Sequence, residues 1–388
     1  MRSRALVLAT VKGVGEMVRA HVIIEQAHGW SARPRRCGRL LAAVVIGLIW
    51  TSLLALNAAP ATAQSTVELP VAFQVKNTNT SKSPCNSGLP DGATYTIRGH
   101  ISGPQAALAS GKADLITIYL FGYEAGEWNW DLKGVPGYDY AAELARSGQV
   151  SLTLDELGYG ASGHSANGNE TCQGAEADTI HQIVQKLRKG EYTLPDSPTI
   201  KFSKVVLAGH DVGGEVAEIE AYSYFDINGL ILVTFAEQGF TPYIIERSTI
   251  AAFATCTESA DGYAHFISDK EFRTLLFYNA EPRVIEAADA QRNPNPCGVI
   301  RSNPPAILVD NRVHVSQIEV PVLIVFGNND TLVWTRQGEE EEERNFSGSP
   351  DKSTAFIPEA GHFVMFARTA ERFDSTMSAW LSSRFPTS

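Results

Sequence analysis

From about residue 90 onward, short unbroken apolar runs alternate with segments in which apolar residues recur every three or four positions. The runs at 93–101, 115–121, 150–154, 205–207, 230–234, 320–326 and 353–356 have the length and β-branched content of strands. The run at 115–121 is nearly all apolar, as a strand buried on both faces must be. Between residues 175 and 189, Ile180, Ile183, Val184 and Leu187 fall at helical spacing. Further helices are expected over 138–147, after the strand at 205 as far as Tyr224, and over 369–383. Strands and helices in alternation predict an α/β fold with a mostly parallel, doubly wound sheet. Residues 64–90, polar and rich in Asn, Ser and Thr, are expected to be irregular. From 236 to 318 the rhythm stops. Roughly eighty residues are too many for a simple connection, so this stretch is expected to form a small helical cap. The core then divides into 64–235 and 319–388, and no internal repeats are visible.

Residues 1–63 follow a different pattern. Arg33, Arg35, Arg36 and Arg39 precede an apolar run at 40–56, and Ala61-Thr62-Ala63 stands before Gln64. A basic stretch, an apolar stretch and a small-residue site together predict a secretory signal peptide, with export and a mature chain starting near Gln64. The competing reading is an uncleaved membrane anchor, because the run approaches spanning length. Met17 is an alternative start. The leader holds eight Lys and Arg but two acidic residues, so its removal takes the net charge from −11 to −17. Such a surface repels nucleic acid and anionic lipid, so neither is an expected partner. After signal removal, no stable membrane association is expected.

Cys37 lies in the leader, leaving Cys85, Cys172, Cys256 and Cys297. An even number in an exported chain points to two disulfides. Cys85–Cys172 and Cys256–Cys297 are favoured, since the second pair would sit within the inserted segment. No Cys-x-x-Cys or His-Glu-x-x-His spacing occurs, so no metal and no cofactor are expected. The acidic run 339–343 reads as a solvated face.

The chemistry is concentrated at residues 205–214, Val-Val-Leu-Ala-Gly-His-Asp-Val-Gly-Gly. A strand runs into a Gly-x-x-x-Gly turn, and small residues follow where a helix would start. This is the layout of a nucleophile elbow, whose glycines leave room for a crowded turn. Its usual central Ser is replaced by Asp211. A carboxylate attacking a carbonyl gives a high-energy anhydride, whereas attack on an sp3 carbon gives an ordinary ester. Asp211 therefore points to epoxides or carbon–halogen bonds.

Four segments in order resemble the α/β-hydrolase fold over nearly all of residues 90–388. They are Asp155-Glu-Leu-Gly-Tyr-Gly-Ala-Ser162, the elbow, Val325-Phe-Gly-Asn-Asn-Asp330, and Glu359-Ala-Gly-His362-Phe. The elbow Gly-His-Asp-Val-Gly-Gly is most similar to those of epoxide hydrolases and haloalkane dehalogenases. The resemblance implies Asp211 as nucleophile, Asp330 as the acid and His362 as the base, in that chain order. Asp211 would form an alkyl ester, and His362, oriented by Asp330, would activate the water that hydrolyses it. The backbone N–H groups of Val212 and of Tyr123, in the loop after Phe121, would hold the oxyanion.

The chain also departs from the pattern. Where relatives with an Asp nucleophile have His-Gly-x-Pro, it reads Phe121-Gly122-Tyr123-Glu124, although Trp130 falls where a Trp often follows that motif. Val212 occupies the place of the halide-holding Trp of dehalogenases, which lowers dehalogenation in rank. Epoxide opening needs an acid for the leaving alkoxide, and Tyr243, Tyr263 and Tyr278 in the inserted segment are the candidates, with packing as their plainer role. Glu237 is an alternative triad acid. His210 and Asp155 read as turn residues. Three functions stay open: an epoxide-hydrolase-like enzyme on a small or medium organic substrate, a carboxylic ester or lactone hydrolase, and an inactive binding protein. Dependence on a cap tyrosine separates the first two, and any turnover dependent on His362 excludes the third.

Overall fold

A computed structural model describes residues 65–86, 88–195, 197–247, 252–330 and 334–386. The signal-peptide expectation lies outside these residues. Eight strands form one sheet: β1 Thr66–Lys76, β2 Thr94–Pro104, β3 Leu115–Leu120, β4 Ser151–Asp155, β5 Lys204–His210, β6 Gly229–Val233, β7 Val322–Gly327 and β8 Lys352–Ile357. Their spatial order is β1-β2-β4-β3-β5-β6-β7-β8. Strand β2 runs antiparallel to both β1 and β4. All pairings from β4 to β8 are parallel. The expected mostly parallel sheet is therefore present.

Both faces of the parallel part are covered, which is why its strands read as continuous apolar runs. In β5, Val205 and Leu207 pack on one face, with Ile180, Ile183 and Val216 of the helices Gln173–Lys189 and Val212–Tyr224. Val206 and Ala208 pack on the other, with Phe373, Met377 and Leu381 of the helix Ala370–Arg384.

Two expectations fail. Residues 66–76 form β1, where Val67, Leu69, Val71, Phe73 and Val75 alternate with outward positions. The polar composition of 64–90 as a whole hides that two-residue period, the real signal of a strand buried on one face. The acidic run is also not a uniformly solvated face. Glu339 and Glu342, three apart on the helix Arg336–Glu342, are buried, while Glu340 is exposed. Helical spacing sends those two inward.

Between β6 and β7 the described residues form short helices, including Pro242–Glu246, Ala252–Glu258, Asp269–Leu275, Pro282–Asp289 and Cys297–Pro305. Cys85 pairs with Cys172 and Cys256 with Cys297, at Cα separations of 5.6 and 5.5 Å. Among the described residues, no helix is long and apolar enough to cross a membrane.

Candidate active site

Parallel strands that end along one edge of a sheet bring their following loops together. Here that edge gathers Tyr123 after β3, Asp211 after β5, Asp330 after β7 and His362 after β8. Asp211 joins β5 to the helix Val212–Tyr224 with φ 51° and ψ −126°. A non-glycine residue with positive φ is strained and needs its surroundings to hold it. The flanking glycines make the turn sterically feasible. A Cβ on Gly209 would lie 2.1 Å from the Gly213 carbonyl oxygen, and one on Gly213 would lie 2.7 Å from the Phe121 nitrogen.

The two carboxylate oxygens of Asp211 have different environments. Oδ2 accepts the Tyr123 N–H at 3.2 Å, and the Val212 N–H also stabilises the carboxylate. Oδ1 lies 3.7 Å from His362 Nε2. The side chain keeps 16 % exposure, toward a cavity. Burial raises the Asp211 pKa, opposed by the His362 charge and the Val212 and Tyr123 N–H groups. Gly122 permits this approach, because a Cβ there would fall 2.4 Å from the Asp211 Cβ.

His362 is buried, and its Nδ1 lies 3.0 Å from Asp330 Oδ2. Burial pulls its pKa down, but the Asp330 charge and hydrogen bond, with Asp211, outweigh this and leave it raised. Its carbonyl oxygen accepts from His210 Nε2 at 3.0 Å and from Thr234 Oγ1 at 3.2 Å. His210 is kept neutral by burial and by the His362 charge, which suits it to donate Nε2–H as a brace. Trp334 stacks 6.0 Å from the His362 ring, and its Nε1 donates to the Ala236 carbonyl at 2.8 Å. Asp155 is a turn residue, accepting from Glu127 N at 2.8 Å and Ala161 N at 2.7 Å.

Without the proline, another device holds the loop after β3. Glu124 has φ 70° and is 1 % exposed. Its Oε2 takes Arg292 Nη2 at 2.6 Å and faces His265 Nδ1 at 2.7 Å. Its Oε1 takes Asn295 Nδ2 at 3.0 Å and the Phe266 N–H. The Glu124 N–H donates to Asn295 Oδ1 at 2.9 Å, and Trp130 Nε1 donates to the Leu120 carbonyl at 2.8 Å beneath the loop. The inserted segment therefore fixes the N–H that reaches Asp211. Glu124 was not legible as a functional residue. The only hint was an acid beside the expected oxyanion donor Tyr123, and its partners are up to 171 positions away.

Asp211 and His362 open on a cavity of about 250 Å³ lined chiefly by apolar side chains, among them Phe235, Phe240, Ile244, Phe266, Ile267 and Trp334. Of the three nominated tyrosines only Tyr243 borders it, with Oη donating to Glu271 Oε1 at 2.8 Å and accepting from Arg247 Nε at 3.3 Å. Tyr263 is turned to Ser165, 3.2 Å from its Oγ, and Tyr278 is exposed beside Gly361. Neither lines the cavity. Glu237 does not serve His362 either; it joins a separate carboxylate cluster with Glu218 and Glu342. It follows β6 by a different turn, one strand away from the Asp330 loop.

No protein-family model and no curated protein sequence matches the chain. Solved structures do. An esterase from Thermogutta terrifontis is 21% identical, with 80% of this chain and 99% of that one covered at a TM-score of 0.56. An esterase from Exiguobacterium antarcticum is 19% identical, over 80% of this chain and 100% of that one, at 0.55. The enol-lactonase from Burkholderia xenovorans is 16% identical, over 74% and 97%, at 0.50. The chain has the α/β-hydrolase fold.

Proposed function

We propose that this α/β-hydrolase-fold chain is an exported hydrolase that works through an alkyl ester on Asp211 and opens epoxides of small or medium, largely apolar compounds. One observation carries this reading. Asp211 Oδ2 rests on the Tyr123 N–H while Oδ1 faces the cavity and His362. The carboxylate is thus oriented for one oxygen to attack and the other to carry charge afterwards.

In the first step Oδ1 attacks an epoxide carbon, its C–O bond breaks, and the leaving alkoxide takes the Tyr243 phenolic proton once that hydroxyl turns from Glu271 to the substrate. Arg247, on the Tyr243 oxygen, favours the phenolate left behind. In the second step His362 Nε2 removes a proton from water and the hydroxide attacks the Asp211 Cγ. The oxyanion forms on Oδ2, against the Tyr123 and Val212 N–H groups. Collapse releases a diol and restores the carboxylate, and the His362 proton returns to the Tyr243 phenolate. One epoxide and one water give one diol. The apolar lining, with exposed Ile245 and Leu308 at its edge, favours a hydrophobic substrate. The two disulfides fit export.

Ester or lactone hydrolysis is the second reading, favoured by the esterase and lactonase chemistry of the structural neighbours. In it, water driven by His362 attacks the carbonyl directly. A single turnover in heavy-oxygen water, across epoxides, haloalkanes and aryl esters, separates the two. The first reading puts the label in the Asp211 peptide, and His362→Ala should accumulate the covalent ester there. Label found in the product alone, with no adduct in His362→Ala, would favour the second. Tyr243→Phe should slow epoxide opening by about 10²–10⁴-fold, the usual worth of a general acid.

A further inference from the structure

Next to Ala236, whose carbonyl accepts from Trp334, three carboxylates have come together from three distant parts of the chain. Glu218 lies in the helix Val212–Tyr224, Glu237 in the turn after β6 and Glu342 in the helix Arg336–Glu342. They are 0, 2 and 0 % exposed. One oxygen from each lies within 4.8 Å of the other two. Three anions do not gather in a dry interior without compensation. Among the described residues no Lys, Arg or His pairs with any of them. Arg312 borders the same space, but it is exposed and has no carboxylate within ion-pair distance among those residues.

The hydrogen bonds are one-sided. Glu218 Oε2 accepts Asn311 Nδ2 at 3.0 Å. Glu237 Oε2 accepts Asn345 Nδ2 at 2.9 Å. Glu342 Oε2 accepts the same amide at 3.0 Å and the Glu237 N–H at 3.2 Å. Oε1 of all three is buried without any donor. Carboxylates oriented by amides through one oxygen and unsatisfied at the other have the form of metal ligands with their outer hydrogen bonds in place. A polar cavity of about 200 Å³ adjoins the cluster, bordered by Glu237, Asn311 and Asn345. It gives an ion a way in and room for the waters that complete its coordination.

We propose that Glu218, Glu237 and Glu342 bind one divalent cation of the calcium class. The donors are all hard oxygens. Calcium–oxygen bonds of about 2.3–2.6 Å fit oxygens that all lie within 4.8 Å of one another. Magnesium keeps several waters and is usually held by one or two carboxylates, not by three. The cation would tie the turn after β6 to the helix that follows the Asp330 loop. That turn carries the Ala236 carbonyl on which Trp334, the neighbour of His362, is hydrogen-bonded. The site is structural and does not depend on which reaction Asp211 performs.

The test uses the mature protein, stripped with a chelator and held at pH 8. Calorimetric titration with calcium chloride should give one ion per chain, and saturating calcium should raise the melting temperature by about 3–6 °C. Glu237→Gln and Glu342→Gln should each weaken binding by roughly 10–100-fold or more. If those variants fail to fold, terbium luminescence sensitised by Trp334 in the unaltered protein serves instead. Displacement by one equivalent of calcium supports the site. The alternative is that the cluster keeps its charge down by holding protons, consistent with burial and Glu237 pushing the Glu218 and Glu342 pKa values up. The proposal is overturned if calcium, magnesium and manganese produce neither heat nor a melting shift. It is overturned equally if protonated-carboxyl infrared bands persist in excess calcium and vanish in Glu218→Gln.

Discussion

Arg292→Met removes the guanidinium paired with the buried Glu124 carboxylate. Arg292 gives Glu124 Oε2 two N–H groups, from Nη2 at 2.6 Å and Nε at 3.2 Å, and its side chain is 5 % exposed. Breaking a buried pair from one side typically costs about 3–5 kcal/mol, because the remaining charge keeps its desolvation penalty. The lower end applies here, since Glu124 retains His265, Phe266 N and Asn295. Losing the stacking on Phe272, 4.5 Å from the guanidinium, adds about 0.5–1 kcal/mol. The Asp269 contact adds little, because Asp269 is 87 % exposed. The expected destabilisation is roughly 3–4 kcal/mol by urea unfolding. Met keeps the apolar stem, so lost volume is a small part of it. The double variant Glu124→Gln with Arg292→Met should recover at least about 1.5 kcal/mol relative to additivity. The same loop carries the Tyr123 N–H, so kcat should fall toward the limit set by one oxyanion donor, about 10²–10³-fold. A coupling below about 0.5 kcal/mol would refute the anchoring. So would a variant destabilised as expected that retains full kcat, since Glu124 would then hold the insertion but not the oxyanion loop.

Asp211→Asn should lower turnover by about 10⁴–10⁶-fold with little structural change, leaving only what slow deamidation restores; full activity in freshly prepared protein would dismiss a covalent mechanism. The acid limb of kcat should lie above the ordinary histidine range, because His362 acts as a base only when neutral and its pKa is raised. Asp330→Asn should move that limb downward and cut kcat by about 10³–10⁴-fold, and a pH–rate profile whose limb does not move would remove Asp330 from the role. Glu156 is buried, and burial raises its pKa from 4.5 to about 8 in the fold. Between those values the folded state binds more protons than the unfolded one, so stability falls as pH rises from about 4.5 toward 8. Chemical denaturation across that window should show a shallower fall in Glu156→Gln, and an unchanged slope would place the linked protons elsewhere.

The hydrophobic pattern alone determined seven of the eight strands and the α/β class, since strands buried on both faces are almost continuously apolar. It failed at β1, where only one face is buried and the signal is an alternation set within a polar stretch. The elbow was legible because its steric demand is local: Gly209 and Gly213 make room for Asp211 within five residues. Asp330 and His362 could be nominated because each follows a readable strand. Geometry decided what local pattern could not. Tyr243 was separated from Tyr263 and Tyr278 only by the packing of the insertion, since three tyrosines scattered through one irregular stretch carry no mark of which one faces a cavity. Glu237 passed from alternative acid to the carboxylate cluster, because its neighbours Glu218 and Glu342 are 19 and 105 positions away. Glu124, a polar residue in an unfamiliar motif, holds the loop after β3 through partners contributed by the insertion. Charge pairing and cavity shape arise from contacts between distant residues, and such contacts exist only once the chain has closed on itself.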